Sequence, residues 1–328
     1  MAHTSERMDN RAVHTLPPLG PELRSILVRL IVLLVLCLSV SVLNENFLSF
    51  GNLVNVLRQT SLLFLIAAGG GVVIIAGAID LSVGAILTLS ACVAAGVLHA
   101  TGSSALAVAV ALSIGVSCGF INGLLVAWLR LPPFLVTYGM LWILSGIALY
   151  YMGGVPITGF PAEFRFLGSG FLLGLPVPIW IMAVVAILGS AVLHLTTVGQ
   201  QIVMMGANRA AAALAGVPLR RNLIGVYVLS GACAGIAAVV ALGRVNSADP
   251  GMGDPFLLPS IAAILVGGTS LFGGTGTLFG TALGALLLTI VLNAMNMLTI
   301  SSAWQPFATG LVLVGALLAD AYLNWRRA

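Results

Sequence analysis

The run Ser61-Leu-Leu-Phe-Leu-Ile-Ala-Ala-Gly-Gly-Gly-Val-Val-Ile-Ile-Ala-Gly-Ala78 carries no charge, and Ile79-Asp-Leu-Ser-Val-Gly84 interrupts it before a second apolar run begins. A helix needs about 20 such residues to cross the hydrocarbon of a bilayer. Comparable runs recur on both sides, at 26–43, 83–99, 105–128, 134–152, 172–193, 223–243, 256–268, 271–292 and 303–323. With 61–78 they predict about ten spans. The run at 256–268 is short and leads into glycines, which suits a broken or re-entrant element. Backbone groups in lipid must be satisfied within the segment, so the spans are helices. Alternating ten-residue segments, the mark of a membrane β-barrel, are absent. The expected fold is an all-α integral membrane protein.

Composition agrees. The chain is 60% hydrophobic and 7% charged, with a mean hydropathy of +1.14. Soluble domains are far more polar. Residues 1–25 are polar and hold Pro17, Pro18 and Pro21, which predicts a disordered cytoplasmic tail. Residues 26–325 then form a single transmembrane domain. The first apolar stretch is too long for a typical signal-peptide core and is expected to remain as span one.

All thirteen basic residues are arginine. With ten spans and both ends inside, the cytoplasmic side holds Arg7, Arg11, Arg24, Arg29, Arg130, Arg209, Arg220, Arg221, Arg326 and Arg327. The outside holds Arg58, Arg165 and Arg244. This is a positive-inside distribution. It makes the loop 194–222 cytoplasmic.

Missing residues exclude several chemistries. A P-loop requires lysine at its phosphate-binding position, and the chain has none. It therefore does not hydrolyse ATP by that route. Cys37, Cys92, Cys118 and Cys233 lie scattered in the spans without metal spacing, and the four histidines are equally dispersed. No metal, cofactor or catalytic residue is expected. Of the nine acids, Asp80 alone falls well inside the membrane-embedded region. One carboxyl is thin material for a proton relay.

The loop 194–222 contains Gly206-Ala-Asn-Arg-Ala-Ala-Ala-Ala-Leu-Ala-Gly-Val-Pro218. Asn208 suits an N-cap, the alanines are the best helix formers, and Gly216 followed by Pro218 suits a helix end. A helix this short is marginal in water alone. It either docks in a groove of a partner protein or rests as a linker on the membrane surface. The contact residues expected for docking are Gly206, Asn208, Arg209, Ala211, Ala212, Leu214 and Gly216.

Two breaks interrupt the spans, at 76–84 and 266–280. Asp80 either caps the helix that starts near Ser82 or lines a path through the membrane, and the two roles are compatible. Ile66-Ala-Ala and Ile261-Ala-Ala precede the two breaks, which suggests related halves around such a path. Asp80, Ser82, Asn122, Thr137, Tyr138, Asn293 and Asn296 are the candidate path residues. Uncharged hydrogen-bonding groups suit a neutral, hydroxyl-rich solute, and interhelical hydrogen bonding explains them equally well. The loops 153–171 and 244–255 are either solvated connections or a surface for an extracytoplasmic partner.

Ile79-Asp-Leu-Ser-Val-Gly84, Ile121-Asn-Gly-Leu-Leu-Val126, Pro132-Pro-Phe-Leu-Val-Thr137, the 206–216 segment, Tyr227-Val-Leu-Ser-Gly231, Ile261-Ala-Ala263 and Gly267-Gly-Thr-Ser-Leu-Phe-Gly-Gly274 occur in this order. Over residues 45 to 325 the chain resembles the permease subunits of bacterial ABC importers for monosaccharides, the ribose/xylose/arabinose/galactoside type. The resemblance implies a bacterial inner-membrane subunit with no enzymatic site, paired with a second permease copy or paralogue. It also implies ABC ATPase subunits bound inside at 206–216 and a periplasmic sugar-binding protein outside. Membrane lipid surrounds the spans, and no nucleic acid is involved. The chain departs from the family pattern at Ala78, Ala85, Tyr138, Ser145, Gln200 and Leu258-Pro-Ser260, which bears on solute and coupling. The alternatives are an ABC permease for another small solute (branched-chain amino acid, nucleoside or signalling furanose), an autonomous ion-coupled carrier, or a membrane scaffold.

Overall fold

A computed structural model describes residues 21–325. Thirteen α-helices are described: α1 (Pro21–Leu43), α2 (Phe50–Ile75), α3 (Val83–Thr101), α4 (Ser104–Ala127), α5 (Pro133–Met152), α6 (Ala162–Ser169), α7 (Val177–Leu195), α8 (Thr197–Ala207), α9 (Arg209–Leu214), α10 (Leu219–Val245), α11 (Leu257–Val266), α12 (Leu278–Met297) and α13 (Gln305–Trp325). Strands β1 (Ile157–Thr158), β2 (Phe171–Leu172), β3 (Leu175–Pro176) and β4 (Ser247–Ala248) form two small antiparallel pairs, β1 with β4 and β2 with β3. All ten expected spans have a helix. Seven, namely α2, α3, α4, α5, α7, α10 and α12, are long and apolar enough to cross a membrane. The α11 helix has only 10 residues, as suits a broken element.

Several boundaries differ from expectation. The expected tail reaches residue 25, but α1 already starts at Pro21, a residue suited to a first helical turn. Residues 1–20 of that tail lie outside the described residues, as do Arg326 and Arg327. The α2 helix begins at Phe50, eleven residues before the expected span. Its polar first turns find partners across the bundle. Asn52 exchanges two amide hydrogen bonds with Asn293, at 3.0 and 2.8 Å, and the Arg58 guanidinium donates to the Ser169 carbonyl at 2.7 Å. The α12 helix begins at Leu278 rather than 271, because Gly273, Gly274 and Gly276 all take positive φ and belong to the preceding turn. Thr277 then caps it, accepting from the Gly280 amide at 3.0 Å.

The core is built around α10. Going up α4, residues Ala111, Gly115, Gly119 and Gly123 meet Gly235, Gly231, Tyr227 and Ile224 of α10 in reverse order, so the two helices are antiparallel. Backbone lies on backbone there. A Cβ at Gly119 would press on the Tyr227 carbonyl, and one at Gly69 of α2 would sit 2.8 Å from the Ser230 Cα. In lipid there is no hydrophobic force between helices, and close packing of small residues supplies the attraction. Large apolar side chains of α1, α5 and α7 face outward instead, among them Leu34, Trp142 and Ile187.

Arginines gather at two ends. Arg130, Arg209 and Arg220 line one cleft. Arg58 acts electrostatically on Arg244 at the other end. Arg220 and Arg244 sit near opposite ends of α10, about 36 Å apart at helical rise.

Gly119→Leu is expected to cost about 3 kcal/mol through overpacking, while Gly225→Ala, where a Cβ meets nothing within 4 Å, should leave stability unchanged or slightly raised. Thermal unfolding in detergent, followed by tryptophan fluorescence, checks the pair.

Candidate functional site

The break between α2 and α3 is held by one buried carboxyl. The Asp80 side chain is 4% exposed. Its Oδ1 accepts from the Ser82 amide at 2.9 Å and the Ser82 hydroxyl at 2.6 Å, and its Oδ2 accepts from the Ser230 hydroxyl of α10 at 2.9 Å. Asn122 of α4 donates to the Ser82 hydroxyl at 2.7 Å. The preceding carbonyl, that of Ile79, accepts from Tyr227 of α10 at 3.0 Å and from Thr137 of α5 at 3.4 Å. An unwound segment inside a bilayer leaves backbone groups without partners, and this knot supplies them. It ties α3, α4, α5 and α10 together at one point.

The seven candidate path residues thus fall into separate groups. Asp80, Ser82, Asn122 and Thr137 meet in the knot, fully enclosed. Tyr138 does not join them. It is 45% exposed on the outer surface of α5, stacked on Phe134 at 5.9 Å and edge-on to Trp142 at 6.3 Å. Asn293 belongs to the pair with Asn52, and exposed Asn296 accepts from Gln305 at 2.8 Å. Ser230 and Tyr227 complete the knot, although only the motif that contains them marked them in the sequence. Their spacing of three places both on one face of α10. The Asn122 Oδ1 has no hydrogen-bond partner.

The segment after α7 forms two helices. Thr196 caps α8, accepting from the Gly199 amide at 3.2 Å, and Asn222 of α10 donates to Gln201 of α8 at 2.9 Å. Gly206, in the last turn of α8, sits in a three-way backbone contact. The Gly274 amide donates to the Ile75 carbonyl at 2.9 Å, and a Cβ on Gly206 would press on both groups. Gly77 and Gly273, at φ +75 and +85, pack against the same spot. The two glycine breaks therefore meet beneath α8.

The α9 helix carries its expected caps. Asn208 Oδ1 accepts from the Ala211 amide at 3.0 Å, and Gly216 has φ +78. The residues expected to make a docking contact divide by face. Ala212 is buried and Gly206 is packed, so these two anchor the segment instead of presenting it. Asn208, Arg209, Ala211 and Gly216 are exposed, and Leu214 is 91% exposed. Beside α9 lies a cleft of about 430 Å³ into which Arg130, Arg209 and Arg220 contribute, together with Pro132 and Pro133.

The loops at the other end are structured. The α6 helix packs its Gly168 on Gly243 of α10. The connection 246–256 runs down the side of α3. Cys92 Sγ donates to the Asp249 carbonyl at 3.8 Å, the Gly253 amide donates to Thr88 at 2.9 Å, and Gly253 lies against Gly84. This descent is why α11 is short.

Buried polar ties and glycine-seated packing among helices, seven of them long and apolar enough to cross a membrane, describe a polytopic helical membrane protein. A family model described as "branched-chain amino acid transport system / permease component" matches residues 52–318, and the chain belongs to that family. It is 40% identical over 301 residues to the ribose import permease protein RbsC of Haemophilus influenzae, covering 90% of this chain and 93% of that one. It is 38% identical over 290 residues to RbsC of Bacillus subtilis, covering 88% and 90%. It is 33% identical over 281 residues to the D-allose transport system permease protein AlsC of Escherichia coli, covering 85% and 86%. No solved structure matches the chain.

Asp80→Ala strips the Ser82 and Ser230 hydroxyls of their acceptor and is expected to cost about 2 kcal/mol, with Asp80→Asn costing less because one oxygen still accepts. Melting temperatures of the purified variants in one detergent rank them.

Proposed function

We propose that this chain is the membrane subunit of an ATP-driven importer and carries a monosaccharide or similar polyol across the bacterial inner membrane. The observation that carries this reading is α9, a capped helix anchored inward by Ala212 that holds Leu214 out at 91% exposure beside an arginine-lined cleft. An exposed leucine on a rigid two-turn mount fits a groove on a separate ATPase, and Arg209 suits an acid at its rim. The named substrates of the similar permeases, ribose and D-allose, favour a sugar over the amino acids of the family description.

In this reading residues 26–325 act as one permease unit, with 194–222 as the coupling loop. Both termini lie in the cytoplasm, and lipid surrounds the apolar outer faces. A second permease copy or paralogue completes the path, and a periplasmic binding protein delivers the solute to the opposite end. The partner ATPase hydrolyses ATP. Asp80, Ser82, Asn122 and Thr137 hold the break in shape at the inner part of the path. The ends of α2 and α8 and the 273–274 turn share one backbone contact, so movement of α8–α9 is passed directly to both breaks.

Leu214→Asp is expected to cut ATP hydrolysis stimulated by loaded binding protein at least tenfold in the reconstituted importer, with expression and melting temperature unchanged. Full stimulation in that variant would remove α9 as the docking element.

A further inference from the structure

At the end of the protein opposite α9, a cleft of about 410 Å³ opens between α2, α10, α12, the start of α13 and the descending 246–256 connection. That size lies within the roughly 300–1,000 Å³ range of small-molecule pockets. Its polar side chains are Gln59, Arg244, Ser247, Asp249, Thr289 and Gln305, and Phe256 supplies an aromatic wall.

These polar groups have hydrogen-bonding capacity to spare. The Gln59 amide, the Arg244 guanidinium and the Thr289 hydroxyl have no hydrogen-bond or ion-pair partner among the described residues. Thr289 shares this state with Thr60 and Ser90, buried hydroxyls of α2 and α3 that also lack a partner. Hydroxyls inside helices ordinarily bond the carbonyl one turn back, as Ser61, Thr88 and Thr281 do in this chain. Thr289 makes no such bond, although its residue is only 2% exposed. Gln305 gives its Nε2 to Asn296 and keeps Oε1. Asp249 uses Oδ1 for the Gly251 amide and keeps Oδ2. Donors and acceptors are thus mixed around one cavity.

Its charges balance. Arg244 and Asp249 are opposite in sign and form no ion pair with each other. Nearby Arg58 is committed to the Ser169 carbonyl and to the Phe171 ring, whose centroid is 4.8 Å away. A cleft whose lining charges cancel, with donors and acceptors mixed and one aromatic wall, is matched by a neutral ring bearing several hydroxyls. Each hydroxyl both donates and accepts, and the C–H face of the ring covers Phe256.

We propose that this cleft is the outer loading subsite for a neutral, hydroxyl-rich solute, recognised by Gln59, Arg244, Asp249, Thr289 and Gln305. The proposal rests on the importer reading and adds where the solute first meets this chain. The test is saturation-transfer NMR on the purified full-length chain in nanodiscs, with D-ribose, D-allose and L-valine as probes. Thr289→Val keeps the side-chain shape, and Gln59→Leu keeps most of its volume. Melting curves confirm that both variants stay folded, and Arg244→Lys should retain part of the signal. The expected result is saturation of the sugar C–H protons by the wild type and at least a fivefold loss in Thr289→Val and Gln59→Leu. Equal sugar signals in folded variants, no sugar signal in the wild type, or a valine signal as strong as the sugar's would overturn it. Failure of the importer reading is seen separately, as absence of sugar-stimulated ATP hydrolysis by the assembled complex.

Discussion

The direct seating of α10 on α2 and α4, glycine backbone against carbonyl, is the contact on which the rest of the structure depends. Gly69, Gly115, Gly119, Gly231 and Gly235 bring these helices closer than any side chain would permit. That closeness places Tyr227 and Ser230 of α10 within hydrogen-bonding reach of the Ile79–Asp80 break. Without it the unwound residues at 76–82 would face hydrocarbon with unpaired backbone groups. Packing and polar satisfaction are one arrangement: small residues admit the helix, and the helix delivers the hydroxyls.

The end that carries α8 and α9 follows the same pattern. Gly77, Gly206, Gly273 and Gly274 join the two breaks and the end of α8 in a contact made almost entirely of main chain. Such a contact has little slack, because interiors packed this densely do not deform gradually. In the importer reading, a push on α9 displaces the breaks rather than being absorbed by side-chain rearrangement. The opposite end is built differently. There the 246–256 connection descends beside α3, shortens α11 and walls off a cleft with uncommitted hydrogen-bonding groups.

The architecture was largely legible in the sequence because lipid imposes a length and a composition on each span. The caps of α9 were legible for an equally local reason, since Asn208 and Gly216 act within their own turn. What escaped was set across the bundle. Arg58 read as the polar outside of a span, yet its partner at Ser169 holds it in α2, as Asn293 holds Asn52. Tyr138, another expected path residue, stands apart from the knot on the exposed face of α5 beside Phe134 and Trp142, which its polarity did not foretell. Ala212 and Gly206, two of the expected docking residues, pack inward against the chain itself, a use that their small size permits and the sequence does not reveal. A residue's polarity or size states what it can do, and only the neighbouring helix decides which use is made of it.

In the importer reading, this membrane path, with an exposed helix at one end and a polar cleft at the other, is driven by ATP hydrolysed on a separate subunit. Uptake of radiolabelled D-ribose by sealed membrane vesicles that contain this chain with its ATPase and binding protein tests that dependence most directly. The expected result is accumulation that requires ATP at the cytoplasmic face and persists when ionophores collapse the proton and sodium gradients. Accumulation that follows an ion gradient and proceeds without ATP would contradict the importer reading.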